Sequence, residues 1–482
     1  RIFGNSVIND KNQTIVNKGV FTSCKLNKEE KCPPWEMRAE EIKHDKKNKI
    51  VEYKNAYLRI YDKPVLYFPY FFHPDPSVKR QSGFLMPKIN NSSFLGSSLQ
   101  IPYYKVISDS EDVTVSPRVF FNDKFLLQSE YRQAFKKSNL ILDHSIKLDN
   151  ENSVTHLFGN FFTTNNNNKF EANFETVSNR NYLKKYDIYS NLVDNHTILN
   201  TYIEFEESNE NSSFRSSFEV FEDLTLQSSD SYEFVYPAFN YASKLNTNFN
   251  GNLNLNVSGH QKKYQTNRYD GILVNNLLYN SNKKITKNGF VDDFNLIIKN
   301  VNTKGDNSSG LKEDFDNKLL SGIVLNREYP LKKINNDTLS YFTPKISARL
   351  SPTETKNIRN KDKRVDFINL FNTDRLNEST VLEGGESLTL GADYKLNNEN
   401  GEVFSLSGGQ VFRLKEEKDI PKTSTIGNKR SDIIGNLKFT PSDIFNLDYS
   451  FSINKDLNDL SYNYAETNFL VNNFMTSFKY LS

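Results

Sequence analysis

The chain has 482 residues, more than one compact soluble core usually organises, so either several domains or one large closed sheet is expected. Its 61 basic and 59 acidic side chains nearly cancel and no basic stripe stands out, which argues against nucleic acid as a partner. The composition includes 37 Phe and 25 Tyr, with Asn and Ser between short apolar runs, and indicates many strands joined by polar loops.

Residues 1–75 are predicted to form a soluble β module. Short strand-like segments such as QTIVNKGVF alternate there with turns and with runs of Lys and Glu, which a lipid environment would disfavour. Because the chain begins at Arg1 within a strand-like segment, we expect it to be a fragment whose N-terminus is missing. The segment HPDPSVKR at residues 73–80 is the expected junction, since its prolines end strand pairing and its basic residues suit a membrane interface.

Cys24 and Cys32 are the only cysteines of the chain. In an oxidising compartment these two residues could close a small disulfide loop. A zinc site is the weaker alternative, because no Cys-x-x-Cys pair accompanies them and the nearest histidine, His44, lies in a charged turn. No metal site is therefore predicted.

Pro87 and Pro102 lie within two strand-like segments of the run KRQSGFLMPKINNSSFLGSSLQIPYY at residues 79–104. A proline has no N–H, so each one removes a ladder hydrogen bond with a net value on the order of 0.5 to 1.5 kcal/mol. On the residues alone, the simplest interpretation is that both prolines occupy edge strands or strand ends, where most strand prolines are found.

From about residue 80 onward, apolar and polar residues alternate in roughly 22 segments of about 9 to 14 residues, the length of tilted membrane-spanning strands. The segment FNLDYSFSIN at residues 445–454 places Phe, Leu, Tyr, Phe and Ile on one face. Stacked sandwiches or a solenoid would also bury one face. Strand length, aromatic residues near strand ends and the lack of a repeat favour a barrel, which also leaves no exposed edge. We predict an all-β chain with a large antiparallel transmembrane β-barrel at residues 76–482.

Catalytic motifs are not found in the sequence. The six histidines are scattered, and neither a His-x-x-x-His pair, a G-x-S-x-G motif nor a phosphate-binding loop is present. The sequence therefore predicts a protein that is not an enzyme and has no cofactor.

The run PVLYFPYFFHPDPSVKRQSGFLMP, followed by PYY fifteen residues after its last proline, resembles the lipopolysaccharide-assembly outer-membrane proteins of the LptD family. Further segments that resemble the family follow in its order: NKGVFTSC, EIKHDKKNKIVEYKNAYLRI, LFNTDRL, EGGESLTLGADY, GGQVFR and KRSDIIG. The resemblance extends over nearly the whole chain, and its most specific part is residues 64–104.

This resemblance implies a lipopolysaccharide translocon in the outer membrane of a Gram-negative bacterium. A periplasmic β-jellyroll would receive lipopolysaccharide from a bridge of LptA-type jellyrolls, and a barrel of about 26 strands would pass it to the outer leaflet. An LptE-type lipoprotein would plug the barrel lumen. On this basis residues 1–75 are the end of the jellyroll, and most of the jellyroll and the last barrel strands would be missing.

The resemblance also implies roles for the singled-out residues. Pro87 and Pro102 match prolines of the family's first two strands, where the first and last strands meet in a lateral gate that releases the lipid into the membrane. Cys24 matches a family cysteine that bonds the jellyroll to the far end of the barrel, whereas Cys32 is outside that pattern, so both pairings stay open. Three other functions stay open too: a passive porin, an outer-membrane hydrolase and a soluble adhesive β-protein.

Overall fold

The structure, a computed structural model, describes most of the chain. The described residues are 2–22, 35–61, 63–75, 77–78, 80–92, 95–121, 124–148, 153–193, 195–265, 267–335, 338–399, 401–471 and 474–482.

Almost all regular structure in these residues is β. The strands are β1 (Ile2–Phe3), β2 (Ser6–Asn9), β3 (Gln13–Phe21), β4 (Trp35–Asp45), β5 (Ile50–Ile60), β6 (Lys63–Pro74), β7 (Gly83–Phe84), β8 (Lys88–Ser92), β9 (Gly96–Gln100), β10 (Tyr103–Ser108), β11 (Glu111–Phe120), β12 (Phe125–Ala134), β13 (Ser138–Leu148), β14 (Val154–Asn165), β15 (Asn168–Val177), β16 (Ile198–Ser208), β17 (Ser212–Asp223), β18 (Tyr232–Leu245), β19 (Gly251–Tyr264), β20 (Arg268–Ser281), β21 (Lys284–Ile285), β22 (Val291–Asp306), β23 (Asp316–Glu328), β24 (Leu331–Asn335), β25 (Thr338–Ser351), β26 (Gly385–Asn398), β27 (Gly401–Arg413), β28 (Ile433–Ser442), β29 (Phe445–Ile453), β30 (Leu460–Val471) and β31 (Phe474–Leu481). Two short α-helices, α1 (Tyr182–Tyr186) and α2 (Phe367–Leu370), lie in connections between strands.

The strands belong to two antiparallel sheets, one of six strands and one of 25 strands in the described part of the chain. The predicted all-β class with one very large antiparallel sheet is therefore confirmed. None of the described helices is long and apolar enough to cross a membrane.

The chain divides into two compact units, residues 1–158 with 177–190 and residues 159–176 with 191–482. The first unit contains the six-stranded sheet, in the order β1-β3-β4-β5-β6 with β2 also paired to β3. The larger sheet uses only strands from β7 onward. The predicted identity of residues 1–75 as a jellyroll end stays a prediction.

A shift in side-chain alternation shapes the core of the six-stranded sheet. In β4, Ala39 and Ile42 are both buried although they are three residues apart, which strict alternation would forbid. The ladders of β4 with β3 and with β5 both omit Glu40, while the register on either side of it is unchanged, so the pairing is interrupted there without an inserted residue. Asn55 on the adjacent strand adopts a positive φ of 48° and donates to Glu40 at 2.7 Å. The core therefore continues past this interruption on one face.

Eight buried residues form that core, with five partly buried residues packed against it. They are Val16, Phe21, Met37, Ala39, Ile42, Val51, Tyr53 and Ala56, and then Ile2, Trp35, Leu58, Phe68 and Phe71.

The first unit also holds the first strands of the larger sheet. Here β7 and β8 together form one interrupted strand, and β9 and β10 form the next, since β7 pairs with β10 and β8 pairs with β9. Both β9 and β10 then pair with β11, which is followed by β12 and β13 in a regular antiparallel order.

The second unit contains parts of β14 and β15 and the strands from β16 to β31, which follow one another in antiparallel order. Most of its turns are short, but residues 352–384 and 414–432 form two long connections. These two connections contain α2 and most of a buried apolar cluster, whose members are Ile358, Val365, Phe367, Leu370, Leu376, Val381, Val411, Ile420, Ile426 and Ile434.

Candidate functional site at the first strands of the large sheet

Pro87 and Pro102 lie in breaks of two neighbouring strands. Pro87 occupies the interruption between β7 and β8, and Pro102 the interruption between β9 and β10. The register brings the two breaks side by side, because Phe84 pairs with Tyr103 before them and Lys88 pairs with Gln100 after them. The two prolines that the sequence analysis singled out are thus adjacent in the fold.

One backbone hydrogen bond crosses the break. The N–H of Leu85 donates to the carbonyl oxygen of Pro102 at 2.8 Å. Residues that face each other in this way in an antiparallel ladder normally exchange two hydrogen bonds. The return bond to the Leu85 carbonyl cannot form, because the Pro102 nitrogen carries no hydrogen.

The break also contains an extra residue on the first strand. Leu85, Met86 and Pro87 stand opposite only Ile101 and Pro102, which is the composition of a β-bulge. Hydrogen-bonding directions alternate along a strand, and the N–H of Ile101 already donates to Pro117 in β11. The nitrogen of Pro87, opposite Ile101, therefore faces away from the second strand.

Pro117 is a third proline of this site, which the sequence analysis missed. Its carbonyl oxygen accepts the N–H of Ile101 at 3.1 Å, and its own nitrogen cannot return the bond. Pro87, Pro102 and Pro117 follow each other at intervals of fifteen residues and lie in three successive strands. This equal spacing was the sequence signal that could have found Pro117.

Large apolar side chains around the break are exposed. The exposed fractions are 77% for Phe84, 85% for Met86 and 77% for Ile89. The ring of Phe84 meets that of Tyr103 edge-on, with centroids 5.0 Å apart. In water such a surface would be unfavourable, so it is suited to an apolar environment.

The other predicted site residues, Cys24 and Cys32, lie outside the described residues. Both proposed disulfide pairings stay predictions.

A second buried site in the sheet is centred on Glu383 in the second unit. The Arg375 guanidinium donates to both of its carboxylate oxygens, Nε to Oε2 at 2.5 Å and Nη2 to Oε1 at 2.6 Å, and Arg413 also donates to Oε1. Further donors of Arg375 reach the hydroxyls of Ser387 at 2.7 Å and Thr389 at 3.1 Å. Arg375, Glu383 and Arg413 have side chains that are 1% exposed. This ion-pair network attaches residues 352–384 to β26 and β27.

Two further cations of the sheet bind the same long connection. Arg349 in β25 donates to the carbonyl oxygens of Asn372 and Thr373, both at 2.6 Å. Lys299 in β22 donates to the carboxylate of Asp374 at 2.7 Å and also to backbone carbonyl oxygens of the connection. These contacts explain the segment LFNTDRL at residues 370–376, whose acidic and basic side chains both have buried partners.

A Ser–His–Asp arrangement also forms, although the sequence analysis could not assemble one. In the first unit Ser145 Oγ lies 2.6 Å from His156 Nδ1, and His156 Nε2 lies 3.3 Å from Asp143 Oδ1. The serine and histidine are 0% and 1% exposed, and the serine hydroxyl is also 2.7 Å from the Tyr182 hydroxyl of α1. Burial raises the pKa of Tyr182 to about 12, which keeps its hydroxyl protonated. We interpret the group as the attachment of α1 to β13 and β14, since a substrate has no access to the serine.

A family profile matches the C-terminal part of the chain. The profile of the family described as "LptD: LPS transport system D" matches residues 302–482, which include Arg349, Arg375, Glu383 and Arg413. A protein named LPS-assembly protein LptD from Shewanella denitrificans is 31% identical over 182 residues, covering 36% of this chain and 23% of the relative. Over residues 302–482 the chain is similar to the LptD family.

Two further LptD proteins have similar identities. The one from Idiomarina loihiensis is 31% identical over 126 residues, covering 26% of this chain and 16% of the relative. The one from Pseudoalteromonas translucida is 35% identical over 123 residues, again covering 26% and 16%. The matched part of this chain thus spans less than a quarter of the length of any of these three LptD relatives.

Among solved structures, the siderophore receptor PiuA from Acinetobacter baumannii aligns over 90% of this chain and 80% of the receptor, with 9% identity and a TM-score of 0.22. A likeness at this level carries no argument about function. Pro87, Pro102 and Pro117 lie outside residues 302–482, so the family match does not include the break.

Proposed function

We propose that the chain is the membrane-spanning part of a lipopolysaccharide translocon in the outer membrane of a Gram-negative bacterium. Its large sheet would form a barrel, and lipopolysaccharide would leave sideways between the first and last strands of the complete protein. The single observation that carries this proposal is the pair of adjacent strand breaks at Pro87 and Pro102, where the return hydrogen bond from Pro102 to Leu85 cannot form.

An apolar face on the sheet of the second unit supports a position in the membrane. Phe294, Leu325, Ala348 and Leu388 lie opposite one another on four neighbouring strands, β22, β23, β25 and β26. Phe294, Leu325 and Leu388 are 39%, 53% and 38% exposed. Monomeric soluble proteins rarely expose so continuous an apolar surface, whereas a membrane-spanning sheet must.

The opposite face of the same strands is polar. Lys299, Arg349 and Thr389 point to it, and all three are buried beneath residues 352–384. A polar lumen would suit the sugar portion of the lipid. A passive porin is less well supported, because an open pore would not need this connection packed against its wall.

We extend the proposal to residues 1–75 and to the partners. This module would be the membrane-proximal end of a periplasmic jellyroll, would receive lipopolysaccharide from an LptA-type bridge and would carry its acyl chains beside aromatic residues such as Phe68 and Phe71. An LptE-type lipoprotein would occupy the barrel lumen. Energy for transport would come from the bridge, and we propose no catalytic step in this chain.

The test uses the full-length protein in cells that depend on it. A cysteine beside Pro87 is paired with a cysteine on the last strand, and the arrival of newly made lipopolysaccharide at the cell surface is measured before and after reduction of the disulfide. We expect the crosslink to stop delivery and reduction to restore it. Unchanged delivery in crosslinked cells would refute the lateral exit. Identical gel mobility with and without boiling, together with a soluble fraction, would refute the barrel.

A further inference from the structure

Four side chains form a charged cluster at the start of the first strand of the large sheet. Arg80 donates to the carboxylate of Asp112, to the Tyr104 hydroxyl at 3.0 Å and to the Asp109 carbonyl oxygen at 2.8 Å. Arg132 donates to the other oxygen of Asp112 at 2.8 Å. The Tyr104 hydroxyl is 3.1 Å from the same carboxylate, whose side chain is 8% exposed. The cluster therefore connects Arg80, three residues before β7, to the successive strands β10, β11 and β12.

Further bonds hold the same part of the strand. The Val106 N–H donates to the Ser82 hydroxyl at 2.9 Å, and Gly83 and Phe84 are paired with β10. Residues 80–84, which we call the base of the first strand, are thus fixed by charge-assisted hydrogen bonds as well as by backbone pairing. Such bonds are about twice as strong as those between neutral groups.

The part of the strand beyond the break is held differently. In β8 the described contacts to the second strand are the backbone pairs from Lys88–Gln100 to Ser92–Gly96 and one weak side-chain hydrogen bond, from Ser97 to Asn91 at 3.3 Å. A charged cluster like that of Arg80 is not found along β8 in the described residues. Residues 88–92, the distal half, are separated from the base by the bulge and by the missing Pro102 donor.

We propose that the lateral exit opens only along the distal half, while the Arg80–Asp112–Arg132 cluster keeps the base closed. Arg80 and Asp112 are then positioning residues: they determine where along the first strand the lipid leaves. The inference rests on the proposed function. The break at Leu85–Pro87 acts as the hinge between the fixed and the moving part.

The test compares two cysteine positions in the full-length protein, each paired with the facing residue of the last strand. Gly83→Cys marks the base, where an added Cβ meets nothing within 4 Å, and Asn90→Cys marks the distal half. We expect the distal crosslink to stop lipopolysaccharide delivery and the base crosslink to leave it nearly unchanged. If the base crosslink stops delivery as completely as the distal one, the inference is refuted but the lateral exit stands. If neither crosslink slows delivery, the lateral exit itself is refuted, and this inference with it.

A substitution tests the role of the cluster itself. Arg80→Met should make the base disulfide form several-fold more slowly and should admit large antibiotics, while the protein still shows heat-modifiable mobility as a folded barrel. Lys88→Met removes the same charge from the distal half and is the matched control, with the base disulfide forming at the original rate. Equal rates of base disulfide formation in Arg80→Met and the unmodified protein would overturn the role of Arg80.

Discussion

Arg375 and Glu383 form a two-pronged ion pair from which solvent is almost excluded, because both side chains are 1% exposed. Removing one partner of such a pair leaves a buried charge without compensation, at a cost of about 3 to 5 kcal/mol. We therefore expect Glu383→Gln to lower the free energy of unfolding by about this amount. The measurement is the urea dependence of the heat-modifiable band in detergent.

Glu386 provides the control for that substitution, since it lies three residues further along the chain, in β26, and is exposed. Glu386→Gln should leave the unfolding midpoint unchanged. If both variants unfolded at the same urea concentration as the original protein, the ion pair would not stabilise the attachment of residues 352–384.

Ile42 is 0% exposed in the core of the six-stranded sheet. Ile42→Ala would leave a cavity and should lower the free energy of unfolding of this sheet by about 2 to 5 kcal/mol. Trp35, the only tryptophan, packs against the same core, so its fluorescence in the full chain reports the unfolding of this sheet alone. Ile8→Ala, at a residue that is 61% exposed, should have little effect, and an equal loss in both variants would contradict the role of the core.

Asp75 should make the stability of the six-stranded sheet depend on pH in the acidic range. Hydrogen bonds from Ser77 and the neighbouring His44, 2.6 Å away, hold the pKa of its carboxyl below the ordinary value of about 3.9. A lowered pKa means that the ionised form stabilises the fold above pH 4 and that this contribution is lost as the pH falls through the folded-state pKa. Asp75→Asn should therefore reduce stability at pH 7, by Trp35 fluorescence, and make no difference near pH 2. A loss of equal size at both pH values would rule out the ionised carboxyl as the cause.

The prolines of the break should set the rate of lipid release. Pro102→Ala supplies a donor opposite the Leu85 carbonyl, and Pro87→Ala supplies one on the side of the first strand that faces away from the second strand. Each restored bond would add about 0.5 to 1.5 kcal/mol of pairing. We expect the double variant of the full-length protein to deliver lipopolysaccharide more slowly and to admit large antibiotics.

Pro344→Ala is the control for the double variant, because Pro344 lies within β25 of the second unit, in an unbroken strand. It should leave delivery unchanged. Normal impermeability to antibiotics in the Pro87 and Pro102 double variant would count against their role.

Alternation along the sequence was sufficient to predict the class of the fold, since strands such as β29 follow it from end to end. It could not show the interrupted pairing between Ala39 and Ile42, because a shift in alternation appears in a sequence as an irregular strand. The sequence was sufficient to single out the prolines. Their effect depends on the register, because only the pairing shows that Pro102 stands opposite Leu85 and which hydrogen bond is missing.

The charged sites were beyond reach for a different reason. Arg80 and Asp112 are 32 residues apart, and Arg413 lies 30 residues from Glu383. Charged residues are common in loops and turns, so the sequence does not distinguish those that become buried in ion pairs from those that stay in water. The contact between Ser145 and His156 was also missed, because it depends on the register between two paired strands. Alternation identifies the strands but does not give their register.

Because Pro87, Pro102 and Pro117 are equally spaced, the lengths of the two connections between them determine which residues each proline stands opposite. An insertion or deletion of one residue in either turn would slip the pairing by one position and turn every side chain beyond it to the opposite face. Pro102 would then no longer stand opposite Leu85, and its missing donor would fall on a different neighbour. The effect of the prolines on pairing therefore depends on the lengths of these two connections as well as on the prolines themselves.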